Sequence, residues 1–196
     1  MPKLTTLLLL CTALFAQQKG TLTDTRDGKV YKTVKICEQT WMAENLNYEA
    51  EDSKCYGNKP ANCKKYGRMY NWETALKVCP DGWHLPNNAE WDKLYRFADG
   101  TSGTKRPYMS KTAGKFLKAK SGWKSEEGKS GNGEDKYGFS ALPGGLGNTD
   151  GSFSDFGAYW WSSSTCAYYR SIQHPWNAFW GSGGPSQLLS VRCLKD

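Results

Sequence analysis

Cys79-Pro80-Asp81-Gly82-Trp83-His84-Leu85-Pro86-Asn87-Asn88-Ala89-Glu90-Trp91 decides how the chain is read. Asn87 stands where a helix N-cap accepts backbone N–H bonds, and Glu90, three residues on, can return a bond to the cap. Trp91, Leu94, Tyr95 and Ala98 then recur on one helical face. Upstream, Trp72, Ala75, Leu76 and Val78 form an approximate helical stripe that predicts a short helix from Trp72 to Val78, ended by Pro80 and Gly82. Cys79 and His84 could be imagined as a thiol dyad. In an oxidising compartment a structural cystine is the stronger reading of such a turn-and-strand segment, with His84 a packed or capping imidazole.

Working outward, the flanks read as strands. After the Asp27-Gly28 turn, Val30, Val34 and Ile36 fall on one face of a strand and Tyr31, Thr33 and Lys35 on the other. Glu38-Gln39 turns the chain into a partner strand through Thr40-Trp41-Met42. From Thr101 to Lys136 the composition shifts to Gly, Ser and Lys around a short helix near Ala113 to Ala119. Beyond it, Phe139–Leu142, Tyr159–Ser163, Ala167–Ile172 and Leu188–Leu194 are strand-like and separated by Gly-rich turns. Leu189, Val191 and Cys193 share a face that should point inward. Strands at both ends with helices between them predict an α+β domain of small antiparallel sheets, two or three short helices and long loops, with the termini in one sheet.

Composition bounds the function. The 196 residues include 9 Trp, 11 Tyr and 7 Phe, far too many burial-hungry side chains for a disordered chain. No apolar run reaches the roughly 18 to 20 residues that cross a bilayer, so a retained spanning helix is excluded. Met1 to Ala16 has a basic start, an apolar stretch from Leu4 to Phe15 and a small-residue exit, which reads as a secretory signal peptide (1–16). Lipidation at Cys11 is disfavoured because Leu10 precedes it. A short linker (17–23) and a single domain (24–196) follow. The formal net charge is +7, most of it in the Lys-rich stretch. Without aromatic interleaving or a nucleic-acid motif, that stretch reads as solvated surface, and nucleic acid is not an expected partner.

Seven cysteines become six once the leader is removed, which allows up to three disulfides in an exported chain. Cys55 and Cys63 flank a loop containing Gly57, Asn58 and Pro60 and are paired first. Pairings of Cys37, Cys79, Cys166 and Cys193 stay open on spacing alone. No CxxC string is present, and His84 and His174 lack ligand-spaced neighbours, so no metal site is expected. Calcium is the one cofactor alternative, through oxygens of Asn148-Thr149-Asp150-Gly151 and Asp155, although such strings are mostly plain turns.

Aromatic residues crowd the stretch after Tyr159. Trp160, Trp161, Tyr168, Tyr169, Trp176 and Trp180 are the candidate ligand-binding residues, because flat aromatic faces stack on sugar rings at low entropic cost. Trp160 and Trp161 point to opposite faces of a strand, so one is expected outward or under a loop. Trp176 and Trp180, in the punctuated loop from His174 to Gly181, are the residues expected to be exposed first.

The strings Gln39-Thr40-Trp41-Met42-Ala43-Glu44-Asn45-Leu46-Asn47, Tyr66-Gly67-Arg68-Met69-Tyr70-Asn71-Trp72, Cys79 to Pro86, Gly138-Phe139-Ser140-Ala141-Leu142-Pro143-Gly144-Gly145, Tyr159-Trp160-Trp161-Ser162-Ser163-Ser164 and Ser190-Val191-Arg192-Cys193-Leu194-Lys195-Asp196 resemble the Fibrobacter succinogenes major paralogous domain from about Asp24 to the C-terminus. That family is similar to the C-type-lectin-like fold shared with formylglycine-generating, sulfatase-modifying enzymes, whose helix start resembles Leu85 to Trp91. The resemblance implies export, a Cys79–Cys193 bridge and, by what is left, Cys37 with Cys166. It brings no assigned reaction. The reactive late cysteine pair of the sulfatase-modifying enzymes is not reproduced, since Cys166 and Cys193 lie far apart. The leading expectation is a secreted or cell-surface, non-catalytic binding module for polysaccharide or cell-surface glycan. The alternatives are an oxidative enzyme of the formylglycine-generating kind and a structural or protein-interaction scaffold.

Overall fold

A computed structural model describes residues 18–101, 109–110, 112–174 and 177–196. The signal-peptide segment and Trp176 lie outside the described residues. The elements, in chain order, are β1 (Lys19–Thr23), β2 (Val30–Ile36), β3 (Gln39–Met42), α1 (Pro60–Tyr66), β4 (Met69–Tyr70), α2 (Trp72–Ala75), β5 (Trp83–His84), α3 (Asn88–Asp99) and β6 (Met109–Ser110). They continue with α4 (Ala113–Leu117), β7 (Leu146–Gly147), β8 (Phe153–Ser154), β9 (Gly157–Trp161), β10 (Tyr168–Gln173), β11 (Ala178–Ser182), β12 (Leu189–Ser190) and β13 (Leu194–Lys195).

The longest helix follows from its first four residues. The Asn87 side chain accepts from the backbone of Ala89 and Glu90, and the Glu90 carboxylate accepts from Asn87 N–H at 2.8 Å, closing a capping box. Trp91, Leu94, Tyr95 and Ala98 are its buried residues, and Gly100 ends it in the left-handed conformation at φ 69°. The helix expected from Trp72 to Val78 is shorter, Trp72–Ala75, capped by Asn71 Oδ1 on Thr74 N–H. Leu76 and Val78 follow in a turn, because Pro80 lies too close to allow another helical turn.

The first and last strands among the described residues share one sheet, as the strand pattern predicts. Its order is β1-β2-β3-β13-β5, and β13 sits between β3 and β5 through Leu194, which is opposite both Trp41 and His84. Residues 19–23, expected as part of a linker, form β1 instead, in antiparallel register with β2 from Lys19↔Val34 to Thr23↔Val30. The backbone explains this: β2 would otherwise leave a row of unpaired donors and acceptors at the sheet edge. A second sheet runs β4-β12-β9-β10-β11-β6, and β7 pairs with β8 in a separate ribbon. Phe139–Leu142, expected as a strand, contributes only a bridge between Ala141 and Lys118.

Two apolar clusters cover opposite faces of β9. Ala158 and Trp160 enter the cluster built on α3 and α4, while Tyr159 and Trp161 enter the one holding Met42, Leu46, Ala75 and Leu85. Leu189, Val191 and Cys193 are buried together in the second cluster, on the inward face anticipated for them. Val30, at the start of β2, is the exception, 59% exposed, while Val34 and Ile36 are buried. The Lys-rich stretch is only partly solvated. Lys118 is fully buried, with Nζ 3.2 Å from the Gly131 carbonyl and 3.9 Å from the Trp123 ring centroid, and burial pushes its amine down to about 8.

Disulfides close Cys55 to Cys63 and Cys79 to Cys193. The longer bridge ties the segment before β5 to the one before β13. The expected third pair does not form: Cys37 and Cys166 are not joined. Cys37 sits at φ 54° in the β2–β3 turn and Cys166 at φ 71° in the β9–β10 turn, so each is fixed by a tight turn of a different sheet.

Candidate functional site

Four of the signature strings meet at one buried amide, and a fifth joins them through Arg192. Asn45 Oδ1 accepts from Trp160 Nε1 at 2.8 Å and from Arg192 Nη2 at 2.9 Å and Nε at 3.2 Å. Asn45 Nδ2 donates to the Tyr66 carbonyl at 2.8 Å and to Ser190 Oγ at 3.3 Å. Arg192 Nη1 also donates to the Phe139 carbonyl. The Arg192 guanidinium lies 4.2 Å from the Phe139 ring centroid and 5.5 Å from that of Trp160, a cation–π setting. No carboxylate is bonded to it among the described residues, and burial pushes its guanidinium down to about 9.

This knot floors a hollow of about 530 Å³. Its walls are β1, β2, residues 43–47, the end of α1 and residues 135–142. Lys19, Lys29, Lys32, Lys64, Lys65 and Arg192 line it, against Glu44 and Asp135 only. Both acids are already engaged. Asp135 accepts from Ser140 N–H and Oγ, each at 2.7 Å, and Glu44 accepts from Lys32 N–H at 2.9 Å. Lys29 Nζ reaches Asp27 at 2.6 Å and the Asn47 carbonyl at 2.9 Å. Lys64 and Lys65, on the last turn of α1, are exposed and form no ion pair among the described residues. Their place is fixed by the Cys55–Cys63 bridge and by Gly67, which turns the chain at φ 76° where a Cβ would lie 2.7 Å from that of Asn45.

The five aromatic candidates among the described residues do not form one surface. Trp160 and Trp161 are both fully buried, so neither faces outward; of the expected alternatives, outward or under a loop, Trp161 takes the second, packed with the non-strand residues Leu46, Val78 and Leu85. Trp161 Nε1 donates to the Tyr70 carbonyl at 2.7 Å. Tyr168 and Trp180 are half-buried and meet edge to face at 5.3 Å. Tyr169 points to the other face of β10, edge to face with Tyr159 at 5.8 Å. Sequence reasoning missed the hollow, because its lysines come from residues 19 to 65 and its floor from residue 192. The visible signal was Arg192, a cation alternating with the inward-facing Val191 and Cys193.

Elsewhere the chemistry is structural. His84 lies between two carboxylates, Nδ1 2.6 Å from Asp196 and Nε2 3.0 Å from Glu90, and Cys79 is held in its disulfide. Asn148 to Ser152 form the β7–β8 turn, with Asp150 Oδ1 accepting from Ser152 N–H at 2.8 Å, and Asp155 pairs with Lys124. A shallower cleft of about 360 Å³ beside this turn is lined by Asn58, Asn71, Glu73 and Phe153. No cluster of three or more metal-ligating side chains is present among the described residues, and no helix there is long and apolar enough to cross a membrane.

No curated protein and no solved structure matches this sequence. The family model for the Fibrobacter succinogenes major domain matches residues 34–195, which include Asn45, Trp160 and Arg192 of the buried knot. On that span, the chain belongs to the Fibrobacter succinogenes major domain family.

Proposed function

We propose that this chain is an extracellular, non-catalytic binding module on a C-type-lectin-like frame, and that glycan seats in the hollow over Asn45 and Arg192. The observation that carries the reading is the contrast between a rigid floor and an uncommitted rim. The floor is a buried knot in which Asn45 bonds Trp160, Arg192 and Tyr66, while Lys64 and Lys65 stand exposed at the rim and form no ion pair among the described residues. Pre-set walls with free polar groups at the rim are what a recognition site needs. Two disulfides and an N-terminal leader pattern support export. The shared terminal sheet, the long Cys79–Cys193 bridge and the α3 start support the lectin-like frame.

The test is a glycan array or insoluble-polysaccharide pull-down with the full chain. Wild type should bind, Lys64→Gln/Lys65→Gln should lose binding, and Trp180→Ala should keep it. If Trp180→Ala is the variant that loses binding, the site moves to the Tyr168–Trp180 face. A structural or protein-interaction scaffold is the second reading, favoured by the service of the signature residues Asn45, Trp160 and Arg192 to the fold itself. Failure of wild type to bind any glycan would select it.

A further inference from the structure

We propose that the hollow takes an acidic polysaccharide, a chain carrying repeated carboxylate or sulfate groups, with its anions set against Lys64 and Lys65. This rests on the binding-module reading of the same hollow. Six cationic side chains line the hollow with two carboxylates; Lys29 pairs with Asp27 and Lys32 with Glu44, Asp135 accepts from Ser140, and Lys19, Lys64 and Lys65 form no ion pair among the described residues. The wall therefore presents a net positive field in a concavity, where low-dielectric sides concentrate it. Below the rim lies Arg192, 1% exposed, with a carboxamide and a carbonyl as its bonded acceptors and no carboxylate. A guanidinium carries five N–H groups, and its three bonds leave one on each terminal nitrogen without an acceptor among the described residues. Asp135 and Glu44 act on that charge through space without bonding it, so its compensation is partial, and an anion arriving in the hollow adds to it.

The rim chemistry also sets the selectivity. Lysine ammonium groups are point charges rather than planar forks, so they attract carboxylate and sulfate alike and leave the sugar to be read by neighbours. Lys65 Nζ lies over the Tyr66 ring, 4.8 Å from its centroid, so the charge and an aromatic ring stand together at the rim. Sugar rather than nucleic acid is favoured because Tyr66 and the buried Tyr31 offer no series of stacked platforms for successive bases.

Titration calorimetry with the full chain separates the outcomes, using polygalacturonate, its fully methyl-esterified form, dextran, dextran sulfate and a single-stranded DNA of matched charge. The expected result is binding to polygalacturonate or dextran sulfate at least about tenfold tighter than to the ester and dextran. Raising salt from about 0.05 M to about 0.5 M should weaken it by about tenfold or more. Lys64→Gln/Lys65→Gln should abolish the acidic preference with an unchanged melting temperature, since both side chains are exposed. Equal binding of acidic and neutral chains overturns the anionic preference and leaves the module reading standing. Tighter binding of the DNA, or a double variant that binds like wild type, overturns the proposal. No binding to any polysaccharide overturns both.

Discussion

Asn45 and Arg192 stand 147 residues apart in sequence and meet through one oxygen, Asn45 Oδ1, which accepts from Nη2 at 2.9 Å and from Nε at 3.2 Å. The same oxygen takes the Trp160 indole N–H, so a single acceptor satisfies two buried donor groups. Asn45→Leu should cost about 3 to 5 kcal/mol, because it strands a buried guanidinium and an indole together. Asn45→Asp keeps an acceptor and adds a counter-charge while losing the bonds to Tyr66 and Ser190, so it should cost less. Urea denaturation of both variants decides, and an equal loss would assign the effect to the amide N–H donors.

The knot also shows where sequence reading stops. The α3 capping box and the inward Leu189–Val191–Cys193 face were legible because each is a local pattern, three or two residues apart. The shared sheet of the two termini followed from strand placement. The double burial of Trp160 and Trp161 was not legible: alternation says that neighbours point apart, but what covers each face is decided by α3 on one side and by Leu46 and Ala75 on the other. The hollow is harder still, since no spacing links Lys19, Lys65 and Arg192. Family likeness suggested Cys37 with Cys166, yet a bridge needs its two Cα atoms within about 7 Å, and this depends on how two turns of separate sheets meet.

Burying Trp160 fully in the apolar core on β9 and leaving Trp180 half-exposed on β11 predicts unequal costs. Trp160→Ala should lose about 3 to 5 kcal/mol by emptying a site packed against Trp91 and Phe139, with centroids at 5.8 and 5.9 Å. Trp180→Ala should lose about 1 to 2 kcal/mol, mainly its edge-to-face contact with Tyr168. Chemical denaturation compares them, and similar midpoints would contradict the burial assigned here.

His84 couples the C-terminus to the start of α3. Burial alone would lower its pKa, but the hydrogen bonds to Asp196 and Glu90 outweigh it and hold the imidazole above its ordinary value. A raised folded pKa means that the stabilisation is full below the unfolded value of about 6.5 and fades as pH rises through the folded one. The imidazole side chain is 38% exposed, so solvent screening limits the effect to about 0.5 kcal/mol or less. His84→Gln should therefore destabilise more at about pH 5.5 than at about pH 8.5, measured in low salt. The reverse order would remove the two-carboxylate clamp.

The two bridges predict a specific labelling pattern. In the native protein iodoacetamide should label Cys166, which is exposed, and should not label Cys55, Cys63, Cys79 or Cys193 before reduction. On chain-entropy grounds opening the short loop costs about 2.5 kcal/mol and opening the long one about 5 kcal/mol. Cys79→Ser/Cys193→Ser should thus lower the denaturation midpoint about twice as much as Cys55→Ser/Cys63→Ser. Peptide mapping that finds Cys166 protected in a disulfide with Cys37 would restore the third bridge.

Gly67 connects the fold to the hollow in one position. It turns the chain out of α1 at φ 76°, and an added Cβ would lie 2.7 Å from the Asn45 Cβ and 2.8 Å from the Leu46 carbonyl. Backbone cannot yield there, because Leu46 O already accepts from Arg68 N–H at 2.9 Å. Gly67→Ala combines a left-handed backbone with that collision and should cost about 2 to 4 kcal/mol. Relief requires α1 to swing away from residues 45–46, carrying Lys64 and Lys65 off the rim. Polysaccharide binding should then fall even at temperatures where Gly67→Ala remains folded, whereas Gly28→Ala, with φ 72° but open space around its Cβ, should lower stability and leave binding intact. If both alanines left binding unchanged, the end of α1 would not be part of the ligand site.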